Sequence, residues 1–353
     1  MRIENLETPS LIVEEKILYQ NIETMKKLLE GTSLSLRPHF KSHKCAAIAK
    51  LQVQNGAKGM TCAKLSEALD LADAGIEDIL IANQIVQPQK IERLARLADA
   101  CHLTVCVDNA ENIAALSKAA ENVGSTIHCL IEYDIGMQRC GVVEDSEVLR
   151  LAEVIGNSKN LSFDGIQAYA GHISHMVYIE ERKEKTAKNY DKLKNLLSAL
   201  DKKAMPAKIV SGGSTGTAQI KAKEGIYNEL QAGSYLFMDS TYKTLDLPFK
   251  NSLFVLSSVV SRRGDLTVVD AGVKTCGVDQ GNPDIVGACA REIVASEEHF
   301  QLHGLSQEKQ IGDRILLIPG HCCSTINLHD KIYITDNGKV VDRIFTTART
   351  CGK

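Results

Sequence analysis

The clearest reactive group in the sequence is a lysine in the basic segment RPHFKSHK, residues 37–44. Lys41 stands there between His39 and His43, directly after a strand-like run. A lysine amine that has lost its proton attacks carbonyl carbons and forms a Schiff base. A basic segment after a strand is also typical of solvated surface, so Lys41 needs a second signal.

A glycine-rich loop, SGGSTGT at residues 211–217, supplies that signal. Glycines allow backbone N–H groups to approach an anion, and hydroxyl groups add donors ahead of a helix N-terminus. A plain strand-to-helix turn is the alternative interpretation. A phosphate-binding loop on the same rim as a Schiff-base lysine predicts pyridoxal phosphate as the cofactor. The candidate phosphate ligands are Gly212, Gly213, Ser214 and Thr215.

A second chemical cluster is PGHCCSTINLHD, residues 319–330. His321 and Cys323 are two residues apart, so an extended backbone would project both side chains to one side. Imidazole and thiolate are ligands that hold zinc, and two protein ligands leave positions for water and substrate. An ordinary loop histidine beside a core thiol is the alternative.

The elements that position these groups form a repeating pattern between residues 34 and 245, where short apolar runs alternate with amphipathic helical runs. Eight such βα units predict an α/β fold, a (β/α)8 TIM-like barrel over residues 13–245. The predicted strands are residues 34–40, 59–63, 78–83, 103–108, 126–134, 163–170, 207–213 and 228–234.

Active sites of such barrels lie at the C-terminal ends of the strands, and phosphate sites commonly follow strands seven and eight. This rule brings the lysine and the glycine-rich loop to one rim. His102 and His128 lie in strand segments away from it and are interpreted as core or edge residues. The residues expected at the rim are His39, Lys41, Arg139, Gln167, Tyr169 and residues 211–217.

The segment 246–353 has several strand-like runs, such as LFVLSSVVS and KIYIT, and turn signals such as DNG, with little helical periodicity. It predicts a C-terminal β domain that carries the His321 and Cys323 pair. Residues 1–12 contain the strand-like SLI after Thr8-Pro9, and we expect the N-terminal strand to pair with this domain.

Composition limits the possible partners. The 353 residues carry a formal charge of −3, which argues against nucleic acid or an anionic membrane as a partner. The N-terminus lacks the basic and apolar pattern of a signal peptide, and no apolar run approaches the roughly 20 residues of a membrane span. We therefore expect a cytoplasmic protein with a small-molecule substrate.

Taken together, the motifs resemble the D-threonine aldolase and D-serine dehydratase family, pyridoxal phosphate enzymes of the alanine racemase fold type. The resemblance runs from about Thr8 to Arg343. The motifs that carry it are RPHFKSHK, DIGMQRCG, QAYAGH, SGGSTGT, ELQAGSYLFMD, VVDAGVKT, SEEH and PGHCCSTINLHD.

The resemblance implies a homodimer in which Lys41 forms the Schiff base and a divalent metal, zinc, manganese or magnesium, is required. Arg139 and Tyr169 match positions beside the cofactor ring, and Tyr235 joins the glycine-rich loop near the phosphate. His39 and Gln167 complete the predicted cofactor site. His321 and Cys323 match the metal ligands.

Three activities remain open. The first is retro-aldol cleavage of D-3-hydroxy amino acids such as D-threonine, with His175, the nearby His172 or a metal-activated water as the base. The second is dehydration of D-serine or D-threo-3-hydroxyaspartate, which the cysteine at position 323 favours because aldolases typically have aspartate there. The third is a non-catalytic pyridoxal phosphate carrier, which would need neither the β domain nor the metal pair.

Overall fold

The computed structural model describes residues 1–349, and this range contains seventeen strands and nine α-helices. The helices are α1 (Glu15–Leu29), α2 (Ala46–Gln54), α3 (Leu65–Asp73), α4 (Pro88–Ala100), α5 (Ala110–Val123), α6 (Asp145–Gly156), α7 (Ile179–Lys202), α8 (Ala218–Glu224) and α9 (Cys322–Ile326). The strands up to residue 230 are β1 (Ser10–Glu14), β2 (Ser35–Leu36), β3 (Met60–Cys62), β4 (Asp78–Ile81), β5 (His102–Val107), β6 (Ile127–Glu132), β7 (Leu161–Ala168), β8 (Ile209–Gly212) and β9 (Glu229–Leu230). The later strands are β10 (Leu253–Arg263), β11 (Leu266–Val269), β12 (Asp284–Ile285), β13 (Glu292–Ala295), β14 (Phe300–His303), β15 (Arg314–Ile318), β16 (Lys331–Asp336) and β17 (Lys339–Phe345).

The chain divides into two compact units. One unit contains Lys26–Lys41 and Ile48–Gly233, and it is called the barrel unit below. The other contains Met1–Met25, Ser42–Ala47 and the chain from residue 234 onward, and it is called the β unit. The boundaries 13–245 and 246–353 remain predictions from sequence.

The barrel unit holds one eight-stranded parallel sheet in the order β2-β9-β8-β7-β6-β5-β4-β3. Backbone hydrogen bonds also connect the chain around β2 with the chain around β3, the first and last strands of this order. The N–H of Lys58 donates to the carbonyl of Leu36 at 2.8 Å, and that of Thr61 donates to the carbonyl of Pro38 at 2.9 Å. The parallel strands and their crossover helices confirm the predicted TIM-like α/β fold. Four buried side chains form a core cluster of the sheet: Leu80, Cys106, Leu130 and Ile209.

Helix α5 shows how local sequence sets an element of the barrel. Its N-cap residue Asn109 accepts a hydrogen bond from the backbone N–H of Asn112. Ile113 and Leu116 face the core, three residues apart on one side of the helix. The helix ends at Gly124, whose φ of +77° lies in the left-handed region that glycine adopts without strain.

Arg37 is buried in the barrel, with 1% of its surface exposed. Its guanidinium donates to both carboxylate oxygens of Glu229 at 2.9 Å and to those of Asp78 at 2.8 and 3.0 Å. Lys58 also contacts Glu229, at 2.7 Å. This member of the basic segment around Lys41 is therefore a structural ion-pair residue, because two carboxylates use its donors.

The β unit contains a nine-stranded sheet with the order β13-β14-β11-β10-β1-β16-β17, in which β15 also pairs with β10 and β12 pairs with β15. Strand β1, the predicted N-terminal strand, pairs antiparallel with β10 and parallel with β16. Leu6, Ile12 and Leu256 pack together on this sheet. The expected separate β structure joined by the N-terminal strand is confirmed. Within residues 1–349, the helices are too short or too polar to cross a membrane.

Candidate active site

A cavity of about 190 Å³ lies in the barrel unit, and Lys41 is part of its wall. Most of the lining comes from segments that follow the C-terminal ends of barrel strands, as the barrel rule predicts. The lining residues are His39, Lys41, Ala63, Ala82, Asn83, Arg139, Cys140, Gln167, Tyr169 and Gln231. The structure thus brings together five of the predicted site residues: His39, Lys41, Arg139, Gln167 and Tyr169.

Two cations stand over one aromatic ring in this cavity. The Nζ atom of Lys41 is 5.7 Å from the centroid of the Tyr169 ring, and the guanidinium carbon of Arg139 is 5.8 Å from it. Glu132 lies 3.9 Å from Arg139, and burial raises the pKa of that carboxyl despite a hydrogen bond from Gln84. The cavity therefore presents positive charge that suits an anionic ligand.

Hydrogen bonds hold the polar wall in place. The amide nitrogen of Gln231 donates to Gln167 at 2.5 Å and to the hydroxyl of Ser211 at 2.9 Å. The backbone N–H of Lys41 donates to Nδ1 of His39 at 3.3 Å. Gln231 was not among the predicted site residues, although the motif ELQAGSYLFMD contained it.

The loop 211–217 leaves strand β8 and turns into a 3-10 helix at Thr215–Thr217. Gly212 permits a close backbone approach, because a Cβ there would lie 2.2 Å from the carbonyl oxygen of Ala168. Gly213 has a φ of +73°, which disfavours other residues. Ser214 caps the turn and shares hydrogen bonds with Ser174 at 2.7 Å and Thr217 at 3.1 Å.

Thr215 provides a test of whether this loop fits a phosphate. Its side chain is buried, and Oγ1 has no hydrogen-bond partner within residues 1–349. An unpaired buried hydroxyl costs free energy, so its presence in this packed loop suits a ligand that accepts its proton. The glycines and this hydroxyl fit a phosphate group, and Lys41 in the same unit fits the aldehyde of pyridoxal phosphate.

His321 and Cys323 lie in the β unit, and their local structure differs from the prediction. His321 is extended, but Cys323 is in the first turn of α9, which begins at Cys322. The prediction that an extended backbone projects both side chains to one side is therefore wrong. The two side chains nevertheless share a hydrogen bond, and Cys323 Sγ also lies 3.6 Å from Ser42 and 3.7 Å from Ser234.

Asp279 orients the imidazole of His321 and was missed by sequence reasoning. Its carboxylate lies 2.6 Å from Nδ1 of His321 and accepts a hydrogen bond from Ser324 at 2.5 Å. Burial opposes the charged imidazole, yet hydrogen bonds and charge from Cys323 and Asp279 raise the pKa of His321 to about 9. Carboxylate partners of this kind fix the ring of a metal-binding histidine, so the donor set suits a thiophilic cation such as zinc.

The remaining predicted residues lie outside the lining of the 190 Å³ cavity as far as residues 1–349 define it. His172 is in the 3-10 helix Gly171–Ile173, and burial lowers its pKa. His175 follows in the next turn and is half-buried. Tyr235 belongs to the β unit and is buried, with its ring 5.7 Å from that of Phe249. The roles predicted for these three residues stay predictions.

Comparison with known proteins gives consistent relatives. Residues 13–241 match the family described as alanine racemase, N-terminal domain, and residues 252–335 match a putative serine dehydratase domain. The 3-hydroxy-D-aspartate aldolase of Paracoccus denitrificans (strain Pd 1222) is 39% identical over 348 residues, 95% of this chain and 90% of that protein. The crystal structure of D-threonine aldolase from Filomicrobium marinum is 35% identical with a TM-score of 0.95, covering 99% of this chain and 98% of that one. The D-threo-3-hydroxyaspartate dehydratase of Delftia sp. (strain HT23) is 26% identical over 350 residues, 91% of this chain and 92% of that protein.

Proposed function

The chain belongs to the alanine racemase N-terminal domain family, in the branch that resembles D-threonine aldolase and D-serine dehydratase, and on this basis we propose that it is a lyase acting on D-3-hydroxy amino acids. The proposed reaction is retro-aldol cleavage of the Cα–Cβ bond to glycine and an aldehyde. The observation that carries it is the placement of Lys41, Arg139 and Tyr169 around one cavity in a chain whose aldolase relatives match it over nearly their full length.

Lys41 would bind pyridoxal phosphate covalently, and Gly212, Gly213, Ser214 and Thr215 would hold its phosphate. When bound, this cofactor withdraws electron density from the α-carbon of an amino acid. Arg139 and Tyr169 would lie beside the cofactor ring. The centroid of the Tyr169 ring is 5.7 Å from Nζ of Lys41 and 5.8 Å from the guanidinium carbon of Arg139. Tyr235, His39 and Gln167 complete the proposed site.

His321 and Cys323 would hold a divalent cation, whose chemistry there is Lewis-acid polarisation of the substrate's β-hydroxyl. Support comes from the shared hydrogen bond of the pair and from Asp279 behind the imidazole. Ser42, whose hydroxyl contacts Sγ of Cys323, is the residue that follows Lys41 in the chain. We propose zinc, with manganese and magnesium as alternatives.

In the aldolase reaction His175 removes the proton of the β-hydroxyl as the Cα–Cβ bond breaks, and His172 is the alternative base. Each side chain is an imidazole, the most common type of general base in enzymes. Replacing each by alanine and comparing turnover distinguishes them: loss of at least about a hundredfold identifies the base.

Dehydration is the second candidate function, and Cys323 is the observation that favours it. The matched serine dehydratase domain and the Delftia relative agree with this alternative. In that reaction Lys41 would take the Cα proton, and the hydroxyl would leave from the cation site. A pyridoxal phosphate carrier is the third alternative, and it leaves the β unit and the His321–Cys323 pair without a role.

Product analysis decides between these functions. The cofactor- and metal-loaded protein is incubated with D-threonine, D-serine and 3-hydroxy-D-aspartate, with the L-isomers as controls. Glycine and acetaldehyde from D-threonine support the aldolase. 2-Oxobutanoate and ammonia would establish the dehydratase instead, and the absence of turnover with bound cofactor and no bound cation would favour the carrier.

We also propose a cytoplasmic homodimer, on the resemblance to the family alone. Sedimentation at several protein concentrations tests the assembly, with a constant mass near twice the 38.5 kDa chain expected. A constant mass equal to one chain would contradict it.

A further inference from the structure

Three potential metal ligands meet at the N-terminal end of the barrel strands. His102 is the first residue of β5, His128 is the second residue of β6, and Asp164 lies within β7. Their ligand atoms all lie within 4.8 Å of one another. His128 Nδ1 is 2.6 Å from Asp164 Oδ2, and the two imidazole rings have centroids 4.1 Å apart.

The strand register explains this convergence. Thr104 pairs with His128, which pairs with Ser162, so these three residues share one face of the sheet. His102 precedes Thr104 by two positions and therefore lies on the same face. Asp164 falls at an irregularity between the pairs Cys129–Phe163 and Leu130–Gly165, and such bulges redirect a side chain.

The three side chains range from exposed to buried, and hydrogen bonds support the buried carboxylate of Asp164. His102 is exposed, and its ring nitrogens make no hydrogen bond with any residue in the described range 1–349. Asp164 is 6% exposed, and its second oxygen accepts hydrogen bonds from Ser162 at 2.9 Å and Lys208 at 3.5 Å.

We propose that His102, His128 and Asp164 bind a divalent transition-metal ion such as Zn²⁺. Two imidazoles and one carboxylate are a common three-ligand set for zinc, with water in the fourth position. Tetrahedral ligands at zinc bond lengths are about 3.3 Å apart, so the observed atoms need to move by about an ångström or less each. The ion would join three neighbouring strands at the end of the barrel opposite Lys41, as a stabilising site separate from the catalytic one.

Calorimetric titration of the pyridoxal phosphate-loaded, chelator-treated protein with Zn²⁺ tests this site. The variant Cys323→Ser removes the other proposed site, and we expect it to bind one equivalent. Adding His102→Ala to that variant should weaken binding at least tenfold and remove the rise in melting temperature that Zn²⁺ produces. His303→Ala on β14 is the matched control and should leave both unchanged.

The site would be disproved if the Cys323→Ser protein bound no Zn²⁺ stoichiometrically, or if the added His102→Ala change had no more effect than His303→Ala. His102 is exposed, so this substitution should not prevent folding. The result is independent of the cation at His321 and Cys323: without that cation, the unmodified protein and Cys323→Ser would both bind one equivalent through His102.

Discussion

At the scale of single residues, the hydroxyl of Thr215 links the packing of the glycine-rich loop to cofactor binding. The substitution Thr215→Val keeps the shape of the side chain and removes a buried hydroxyl without a partner in residues 1–349. Because a hydrogen bond to a charged group contributes about 1.5–3 kcal/mol, pyridoxal phosphate should bind at least about tenfold more weakly. The cofactor-free protein should be as stable as before or slightly more stable, and fluorescence titration with denaturant unfolding measures both quantities.

Thr186→Val is the control for this prediction, since its hydroxyl on α7 is likewise buried and unpaired in the described structure. Its cofactor affinity should be unchanged. Equal affinities for the two variants would contradict phosphate binding by Thr215.

Asp279 offers a second prediction at this scale. Asp279→Asn removes the carboxylate that orients His321, and loss of such a partner typically weakens metal binding about 10- to 100-fold. Titration with Co²⁺ measures this directly, because the thiolate of Cys323 gives a charge-transfer band that the histidine and aspartate cluster lacks. Asp284→Asn, which removes an exposed pair with Lys243, should bind Co²⁺ as the unmodified protein does. A normal cobalt affinity for Asp279→Asn would show that the carboxylate does not support the metal pair.

Whether the sequence alone reveals a site residue depends on how far that residue lies along the chain from its partners. Lys41, His321 and Cys323 stand in short motifs, so their chemistry is visible in the sequence itself. Asp279 is 42 residues before His321, and only the packing of the β unit brings the two together. The cluster of His102, His128 and Asp164 has the same origin, because it depends on strand register and a bulge.

At the scale of elements, buried ion pairs between barrel strands should control stability. Arg37→Met leaves Glu229 buried beside Lys58 alone, and removing one partner of a buried pair costs about 3–5 kcal/mol. Urea denaturation at pH 7 measures this loss. Arg150→Met removes an exposed pair with Glu147 on α6 and should change stability little. Similar losses for the two variants would contradict a structural role of Arg37.

The same pair predicts how stability changes with pH. Burial alone would raise the pKa of Glu229, but hydrogen bonds and charge from Arg37 and Lys58 lower it below the ordinary 4.5. A carboxyl with a lowered pKa in the folded state adds stability above pH 4.5, and this is lost as the pH falls through the lowered value. In Arg37→Met burial dominates, so this contribution should weaken or reverse, with stability falling as the pH rises. An unchanged pH profile of the unfolding free energy would contradict this.

Element positions were largely predictable, and the exceptions have physical causes. Alternating apolar runs located the barrel strands, for example residues 207–213 against the observed Ile209–Gly212. The first strand, predicted over 34–40, forms a ladder only at Ser35–Leu36. Pro38 lacks an N–H donor, and the chain enters a 3-10 helix at Phe40, which places Lys41. The helix at Cys322 was missed because a five-residue element is too short to show periodicity.

At the scale of the whole molecule, turnover should require both a cofactor and a cation. Removing the cation with a chelator should lower turnover of D-threonine at least about a hundredfold, because Lewis-acid polarisation supplies several kcal/mol to the reaction. Pyridoxal phosphate should remain bound. Adding Zn²⁺, Mn²⁺ or Mg²⁺ one at a time identifies the active ion, and full turnover in the chelated protein would contradict a catalytic cation.

The covalent attachment of pyridoxal phosphate to Lys41 is the central claim, and one measurement tests it most directly. The loaded protein is reduced with borohydride and digested, and mass spectrometry locates the adduct, with Lys50→Ala and Lys41→Ala variants alongside. We predict one pyridoxyl group per chain on Lys41, retained in Lys50→Ala and absent in Lys41→Ala. An adduct on another lysine, or no adduct in a protein that turns over its substrate, would contradict the claim.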